Sequence, residues 1–345
     1  MKNLLLVAAL MTIVFFSCTS DGNKNIPDDN EKKLASDQQK EKLEEIAKLK
    51  REIESLKSRK DSVNEQYNSL IVRPAISKII LQSDLDHMNI AVNDIDKTEK
   101  YFTDVLGFTI KKGREHNNGI LNSFVKFGDN SYIELITVVN QPDSSTQVYR
   151  DILKNGDAGA FVALRSDSLS SLSEYYKLLE KVTNIKRYGN DFETLEFGDK
   201  EELKNIFFIN YPGLVKDDKT LLTHKNGAMG LAAVWLAAKS TDEIEKTFTL
   251  YGFKVLTGVT IPSLNIEGRI VEMNEGKIYL LPSDTSNGVF GITVLVNDVQ
   301  KTHDFLKKSL KKDLKISHDV RGKSILLDPG ITHNIYIEFL QKENN

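Results

Sequence analysis

The chain has 345 residues, of which 40% are hydrophobic, so it is long enough and apolar enough to build two domains with packed cores. Its 46 basic and 49 acidic residues nearly cancel, which leaves a net charge of -3 at pH 7. Because a surface that holds a polyphosphate backbone needs an excess of positive charge, this balance argues against nucleic acid as a partner.

The first 17 residues have the layout of an export signal. Lys2 supplies positive charge, residues 4–16 form a mostly apolar run, and Ser17 precedes Cys18, the only cysteine of the chain. The segment FFSC resembles a bacterial lipobox, which implies a signal peptide over 1–17, lipidation of Cys18 and a membrane-anchored protein of the cell envelope. The alternative is an ordinary secretory signal with an incidental cysteine. With no later cysteine, the exported part forms no internal disulfide.

A polar linker is expected over residues 18–32 and a long helix over 33–72. The apolar residues of this helix are spaced alternately three and four apart, with Lys60 as the single break, which is typical of a coiled coil and predicts a homo-oligomer. They are Ile46, Leu49, Ile53, Leu56, Val63, Tyr67 and Leu70. Pro74 is expected to end the helix. The alternative is a lone amphipathic helix that folds back onto the rest of the protein.

The remainder of the chain is repetitive. AVNDIDKTEKYF from Ala91 returns as LVNDVQKTHDFL from Leu295, and SYIELI from Ser131 returns as IYIEFL from Ile335, both 204 positions later. Each repeat has the pattern of a strand, a helix and three further strands. The sequence therefore predicts an α+β fold of four βαβββ modules, near 85–140, 158–212, 228–283 and 288–341, preceded by the long helix.

Strand alternation places two polar side chains of the first module together. If the more apolar faces of the first and last strands lie under the helix, then His87 and Glu134 share the opposite, concave face. In the fourth module Gly291 and Glu338 take the same two positions.

Several segments together resemble the vicinal oxygen chelate superfamily, and within it the glyoxalase-like domain proteins. The segments are Asp86-His87, GREH at 113–116, FGDNSYIELI at 127–136, ALRSD at 163–167, IFFINY at 206–211 and HKNGAMGLAAVWLA from His224. The resemblance implies that paired modules form two tandem domains, over 85–212 and 224–341, each enclosing a cup. It also implies a divalent metal, Zn, Mn, Fe or Ni, held by first-strand and last-strand residues of each module.

Carried onto this sequence, the resemblance makes His87 and Glu134 metal ligands, with Glu134 as ligand or catalytic base. The second module has Gly159 and Phe208 near the matching places, so His116 is the candidate third ligand and Glu338 a secondary candidate. A bound metal would act as a Lewis acid on two adjacent substrate oxygens. Two further catalytic candidates, Asn122 and Arg165, would orient an oxyanion.

Each of these residues also has a structural interpretation. Glu134 could pair with Arg165 or Lys126, and His116 could be a solvated loop histidine. Trp235 is expected in a core or a cup lining. Three functions therefore remain open: a metal-dependent lyase, isomerase or dioxygenase, a non-catalytic module that binds a small molecule, and a structural protein that works through its coiled coil.

Overall fold

The computed structural model describes residues 29–140, 143, 146–198, 201–213, 217–283 and 288–343. The predicted signal peptide, Cys18 and the linker up to residue 28 lie outside the described residues. Two compact units divide the chain, one ending at Glu65 and the other beginning at Gln66. No described helix combines the length and the apolar character that crossing a membrane requires.

The long helix α1 spans Asp29–Tyr67, so the last residues of the predicted linker are helical. A π-helical turn follows at Asn68–Val72, and then helix α2 at Arg73–Leu81. The prediction that Pro74 ends the helix is wrong, because Pro74 lies in the first turn of α2. A proline is tolerated there, since the first turn of a helix does not use its backbone N–H groups.

The first two modules form one eight-stranded sheet in the order β2-β3-β4-β1-β5-β8-β7-β6. Module 1 comprises β1 (Asp84–Ala91), α3 (Ile95–Asp104), β2 (Lys111–Glu115), β3 (Ile120–Lys126) and β4 (Tyr132–Val138). After helix α4 (Gln147–Leu153), module 2 comprises β5 (Ala158–Arg165), α5 (Leu169–Leu178), β6 (Thr183–Tyr188), β7 (Phe192–Phe197) and β8 (Ile206–Asn210). Antiparallel pairing of β1 with β5 joins the two modules at the centre of the sheet.

The last two modules repeat this arrangement in a second sheet, in the order β10-β11-β12-β9-β13-β16-β15-β14. Module 3 comprises β9 (Ala228–Ala238), α6 (Thr241–Leu250), β10 (Val255–Ile261), β11 (Ile266–Glu272) and β12 (Lys277–Pro282). Module 4 comprises β13 (Val289–Val296), α7 (Val299–Leu310), β14 (Ile316–Asp319), β15 (Gly322–Leu327) and β16 (Tyr336–Lys342). The predicted α+β fold of four βαβββ modules in two tandem domains after a long helix is confirmed.

The repeated Asn-Asp pair of modules 1 and 4 marks the point where a strand gives way to a helix. Asp94 is the N-cap of α3 and accepts a hydrogen bond from the backbone N–H of Lys97 at 3.1 Å. Asp298 is the N-cap of α7 and accepts from Gln300 and Lys301. Such a carboxylate satisfies N–H groups that the first turn leaves unbonded. The duplicated sequence therefore encodes the same strand-to-helix transition twice.

Both sheets share one large apolar core on their helix-bearing sides. Phe102 of α3, Phe208 of β8, Phe253 after α6 and Phe339 of β16 are all buried in it. Phe208 and Phe253 stack with their ring centroids 6.2 Å apart, although they belong to modules 2 and 3 of different domains. The helices therefore cover one face of each sheet, and the opposite face of each sheet lies on the concave side, where a cup can form.

Candidate functional site

The face of the first sheet opposite its helices carries ordered rows of side chains, and we call this face the first cup. In the register of β1, β4 and β3, His87 lies beside Tyr132, which lies beside Lys126. In the next row Asn89 lies beside Glu134, which lies beside Phe124. Because side chains two residues apart on a strand share a face, these two rows are neighbours on the same surface.

His87 and Glu134 converge in the first cup, as strand alternation predicts. Nε2 of His87 lies 3.6 Å from Oε2 of Glu134, too far for a hydrogen bond, and the two side chains are 3% and 14% exposed. On its other nitrogen, Nδ1, His87 is hydrogen bonded to Oδ1 of Asp86 at 2.6 Å. The ring also stacks on Tyr132 at a centroid distance of 4.4 Å. The imidazole is therefore held on two sides with Nε2 toward the carboxylate.

Two amides fix the carboxylate of Glu134. Asn89 Nδ2 donates to Oε2 at 2.6 Å, and Asn122 Nδ2 donates to Oε1 at 2.8 Å. Asn122 thus contacts the predicted site, where it orients Glu134. The Oδ1 atom of Asn89 is buried and has no hydrogen-bond partner among the described residues. A buried acceptor without a partner is uncommon in folded proteins, and it indicates a place for a donor from a ligand or a water molecule.

The guanidinium of Arg165 pairs with the carboxylates of Asp84 and Asp86 and not with Glu134. Its Nη2 atom donates to Oδ2 of Asp84 at 2.5 Å, and Nη1 lies 3.6 Å from Oδ2 of Asp86. Asp86 also accepts from the hydroxyl of Tyr211 at 3.1 Å. These contacts match the structural interpretation of Arg165, since its guanidinium neutralises the carboxylate that orients His87.

The surroundings of Asp86 favour its charged form. Burial raises the pKa of Asp86, but the hydrogen bond from His87, the charges of His87 and Arg165 and the hydroxyl of Tyr211 together lower it below its usual value. Burial and the nearby charge of Asp86 raise the pKa of Tyr211 well above its ordinary range, so this phenol stays protonated and donates.

We predict that Asp86→Asn makes folding less dependent on pH. Because the folded-state pKa of Asp86 is lowered, its contribution to stability is present above the ordinary carboxyl pKa and is lost as the pH falls through the lowered value. Losing a charged hydrogen-bonding partner should cost about 2 kcal/mol at pH 7 and progressively less below about pH 4. Urea unfolding at pH 7, 4 and 3 measures this, with the exposed Asp191→Asn as control. Equal pH dependence in wild type and variant would contradict the prediction.

The ammonium group of Lys126 lies over two aromatic rings at the edge of the first cup and does not pair with Glu134. Its Nζ atom lies 3.3 Å from the ring centroid of Tyr132 and 4.9 Å from that of Phe124. Burial lowers the pKa of Lys126, although the charges of nearby carboxylates oppose this shift. Among the described residues no ion pair joins Lys126 to Glu134, so the carboxylate is held by amides and not by a cation.

Module 2 supplies aromatic side chains where module 1 supplies His87 and Glu134. Phe161 is the counterpart of His87, because each lies eight residues before the start of the helix of its module. Phe207 is the counterpart of Glu134: Phe207 pairs with Ala163, two residues after Phe161, and Glu134 pairs with Asn89, two residues after His87. The expectation that Gly159 and Phe208 occupy these places is wrong, because Phe208 is buried in the common core. The rings of Phe161 and Phe207 contact each other, with centroids 6.4 Å apart, and Phe207 lies edge-on to His87 at 5.8 Å.

The residues of the first cup do not fit the metal centre that the resemblance implies. Within the described ranges, no three His, Cys, Asp or Glu side chains lie close enough together to hold an ion. His116 lies in the turn between β2 and β3 and does not complete a group with His87 and Glu134. The two places in module 2 that would supply donors hold Phe161 and Phe207. Catalytic metal sites normally use three or more protein ligands, and this cup offers two.

Glu338 belongs to the second sheet, where it is enclosed by other side chains. Arg321 donates from Nη1 to Oε2 at 2.8 Å and from Nη2 to Oε1 at 2.7 Å, and Thr293 also donates to Oε2 at 2.8 Å. Glu338 is only 1% exposed. Burial lowers the pKa of Arg321, but the hydrogen bonds and charge of Glu338 raise it above its ordinary value. The secondary candidate is therefore a structural partner of Arg321 and lies apart from His87 and Glu134.

Aromatic side chains pack beside the Arg321–Glu338 pair in the cup of the second sheet. Trp235 is completely buried and packs with Phe290 and Tyr336. A Cβ atom added at Gly291, the counterpart of His87, would lie 2.5 Å from the Trp235 ring. The indole N–H donates to the hydroxyl of Thr293 at 2.9 Å. Trp235 therefore occupies the space that a histidine would need at position 291.

The comparisons with solved structures agree with this fold. A hypothetical protein from Staphylococcus aureus is 10% identical with a TM-score of 0.52, and the match covers 75% of this chain and 99% of that protein. A xylose isomerase-like TIM barrel/4-hydroxyphenylpyruvate dioxygenase fusion protein is 12% identical with a TM-score of 0.55, over 76% of this chain and 49% of that one. A triple mutant of 4-hydroxymandelate synthase from Streptomyces coelicolor is 13% identical with a TM-score of 0.51, over 76% and 93% of the two chains.

No match to this sequence is found among curated proteins. The family described as glyoxalase-like domain matches residues 85–280, which include both modules of the first sheet and most of module 3. Because this match spans more than half of the chain, the protein belongs to the glyoxalase-like domain family.

Proposed function

We propose that the protein binds a small molecule in its first cup, through a hydroxyl or amine group that donates to Asn89 and Glu134. The observation that carries this proposal is the buried Oδ1 atom of Asn89, which has no partner among the described residues and adjoins the carboxylate of Glu134. An unsatisfied buried acceptor costs about 1–3 kcal/mol, and a ligand that donates to it recovers part of this cost.

The walls of the cup suit a ligand with a flat apolar body. The side chains of Phe124, Tyr132, Phe161 and Phe207 lie around the polar group and contact one another or His87. Aromatic walls bind flat apolar bodies by stacked and edge-to-face packing, while a few polar groups fix the orientation. The ligand class that these features favour is a small aromatic alcohol or amine.

A matched pair of probes tests this proposal. We expect benzyl alcohol to bind the full chain about tenfold or more tightly than toluene, because only the alcohol donates to the carboxylate. Glu134→Gln should reduce this difference, because it removes the charged acceptor but leaves Asn89, whereas Glu267→Gln, at an exposed position of β11, should leave the difference unchanged. NMR titration of the side-chain amide signals of Asn89 and Asn122 measures both affinities. Equal affinities for the two probes in wild-type protein would contradict the proposal.

A metal-dependent lyase, isomerase or dioxygenase is the other function that the sequence predicts. The 4-hydroxyphenylpyruvate dioxygenase fusion protein and 4-hydroxymandelate synthase share the fold. At 12% and 13% identity, however, they are evidence for the fold alone. The cup supports this function less well, since His87 and Glu134 are its two protein donors and Phe161 and Phe207 stand at the other places. Stoichiometric metal in protein purified from its own host would favour the enzyme over the binding module.

We also propose that the protein works at the cell envelope, anchored through a lipid on Cys18. The support is the N-terminal sequence alone, with its charged start, apolar run and lipobox-like FFSC. A lipidated cysteine would take up labelled palmitate in cells, and Cys18→Ser should lose all of the label while Ser20→Ala keeps it. Equal labelling of the Cys18→Ser variant would contradict the anchor.

A further inference from the structure

Helix α1 exposes an apolar stripe over residues 46–63, which Lys60 interrupts once. Ile46, Leu49, Ile53, Leu56 and Val63 are 40%, 50%, 50%, 63% and 63% exposed. Their spacings are three, four, three and seven residues, because Lys60 stands where the pattern expects an apolar residue, so they form one seam with a single break. An aliphatic seam of this length is unfavourable in water, because burying apolar side chains lowers the free energy.

The residue types along the seam specify the partner. With Ile46 at heptad position a, the a positions are Ile46, Ile53 and Lys60, and the d positions are Leu49, Leu56 and Val63. Isoleucine at a with leucine at d favours two parallel strands, because this combination packs well only in a dimer. A single lysine at position a costs stability but penalises shifted registers and larger bundles.

The charges beside the seam match a second copy of the same chain. Glu45 and Glu52 occupy g positions, and Lys50 and Lys57 occupy the e positions five residues later. In a parallel, in-register pair each g residue faces the following e residue of the other helix, so glutamate meets lysine four times. Arg59 occupies the next g position, so an antiparallel pair of the same segments would place Glu52 near Arg59 of the other helix, but it would bring Lys50 toward Lys57. Lys57 now contacts Glu54 of its own helix at 3.2 Å, an exposed contact that contributes little.

The seam ends at the π-helical turn. Tyr67 continues the pattern at position a and is 49% exposed, but Asn68–Val72 is wound as a π-helix. A π-helical turn adds a residue and rotates everything after it about the helix axis, so the a and d positions no longer line up beyond this point. The paired segment therefore runs from Glu45 to Tyr67, roughly 33 Å at 1.5 Å per residue.

We propose that α1 pairs with α1 of a second copy of this chain over residues 45–67, as a parallel, in-register, two-stranded coiled coil. The pairing buries the apolar seams of both helices and joins Glu45 to Lys50 and Glu52 to Lys57 across the interface. It does not depend on what the first cup binds.

Disulfide trapping in the full chain tests the direction and the register. Leu49→Cys and Val63→Cys, made separately in a Cys18→Ser background so that no other thiol is present, should each give a disulfide-linked dimer when the full chain is oxidised, because equal d positions face each other in a parallel pair. In an antiparallel pair at most one of them could face itself. Ser58→Cys, at the outward f position, is the matched control and should stay monomeric. Failure of either seam variant to cross-link, or equal cross-linking of the control, would overturn the proposal.

Charge exchange tests the identity of the partner. Light scattering of the solubilised full chain should give twice the monomer mass. The double variant Glu45→Lys with Glu52→Lys should dimerise at least tenfold more weakly, because four attractive pairs become repulsive. Adding Lys50→Glu and Lys57→Glu to this variant should restore the dimer. A monomeric or trimeric wild type, or a quadruple variant that fails to recover, would refute the pairing.

Discussion

Introducing donors into module 2 should convert the first cup into a metal site. The double variant Phe161→His with Phe207→Glu places an imidazole and a carboxylate at the positions that correspond to His87 and Glu134. We expect it to retain one Zn²⁺ per chain and to bind Zn²⁺ at least 100-fold more tightly than wild type, about 2.8 kcal/mol, because four donors replace two. Metal analysis after dialysis and a Zn²⁺ titration measure this.

A control variant shows whether metal binding depends on the new imidazole and carboxylate or only on the removal of the Phe161 and Phe207 rings. Phe161→Leu with Phe207→Leu removes the same aromatic contacts and should bind no metal. Adding Glu134→Gln to the donor variant should weaken binding again, since one of the four ligands is removed. If the double variant does not fold, either single substitution still raises the donor count from two to three. Tight stoichiometric Zn²⁺ in the wild type would show that the donor set of the natural cup is sufficient.

Removing the guanidinium of Arg321 should be among the most destabilising single changes in the second sheet. In Arg321→Ala the carboxylate of Glu338, 1% exposed, would keep only the hydroxyl of Thr293 as a partner. Breaking a buried pair by removing one member costs about 3–5 kcal/mol, because the remaining charge is left in an apolar environment. Urea unfolding at pH 7 measures the loss.

Two variants show whether the cost arises from the uncompensated charge. Because Arg321 also pairs with Asp319, whose side chain is 13% exposed, the double variant Arg321→Met with Glu338→Leu is made in an Asp319→Asn background. It then leaves no unpaired charge of this cluster and should lie within about 1–2 kcal/mol of wild type. Arg187→Ala breaks the ion pair with Glu193, whose arginine side chain is 75% exposed, and should cost less than about 1 kcal/mol. A loss as large in the double variant as in Arg321→Ala would mean that lost packing, and not the buried charge, explains the effect.

The repeat and its local signals made much of the fold predictable. The offset of 204 positions relates Asp94 to Asp298, His87 to Gly291 and Glu134 to Glu338, and the structure places each pair at equivalent positions. Helix caps and strand alternation depend on residues within a few positions of each other, so a single sequence contains them. The error at Pro74 came from a local exception, since the preceding π-helical turn places the proline where a helix tolerates it.

The candidate site was predictable only in part. Strand alternation is enough to bring His87 and Glu134 to one face, and Asn122, a candidate for orienting an oxyanion, contacts Glu134 instead. The roles of Asn89 and Tyr211 were missed, although Asn89 lies two residues after His87 and so shares its face. Tyr211 could not be found in this way, because its contact with Asp86 joins residues 125 positions apart. Neither spacing nor periodicity reports a contact of that range.

By itself, the sequence determined the four modules, the seam of α1 and the common face of His87 and Glu134, because hydrophobic period, capping and alternation act over short stretches of chain. Only the tertiary structure decided that modules pair as 1 with 2 and 3 with 4, that Phe161 and Phe207 face His87, and that Trp235 packs in the second cup. These outcomes depend on strand register and on packing between distant residues, where a shift of one residue exchanges the two faces of a strand.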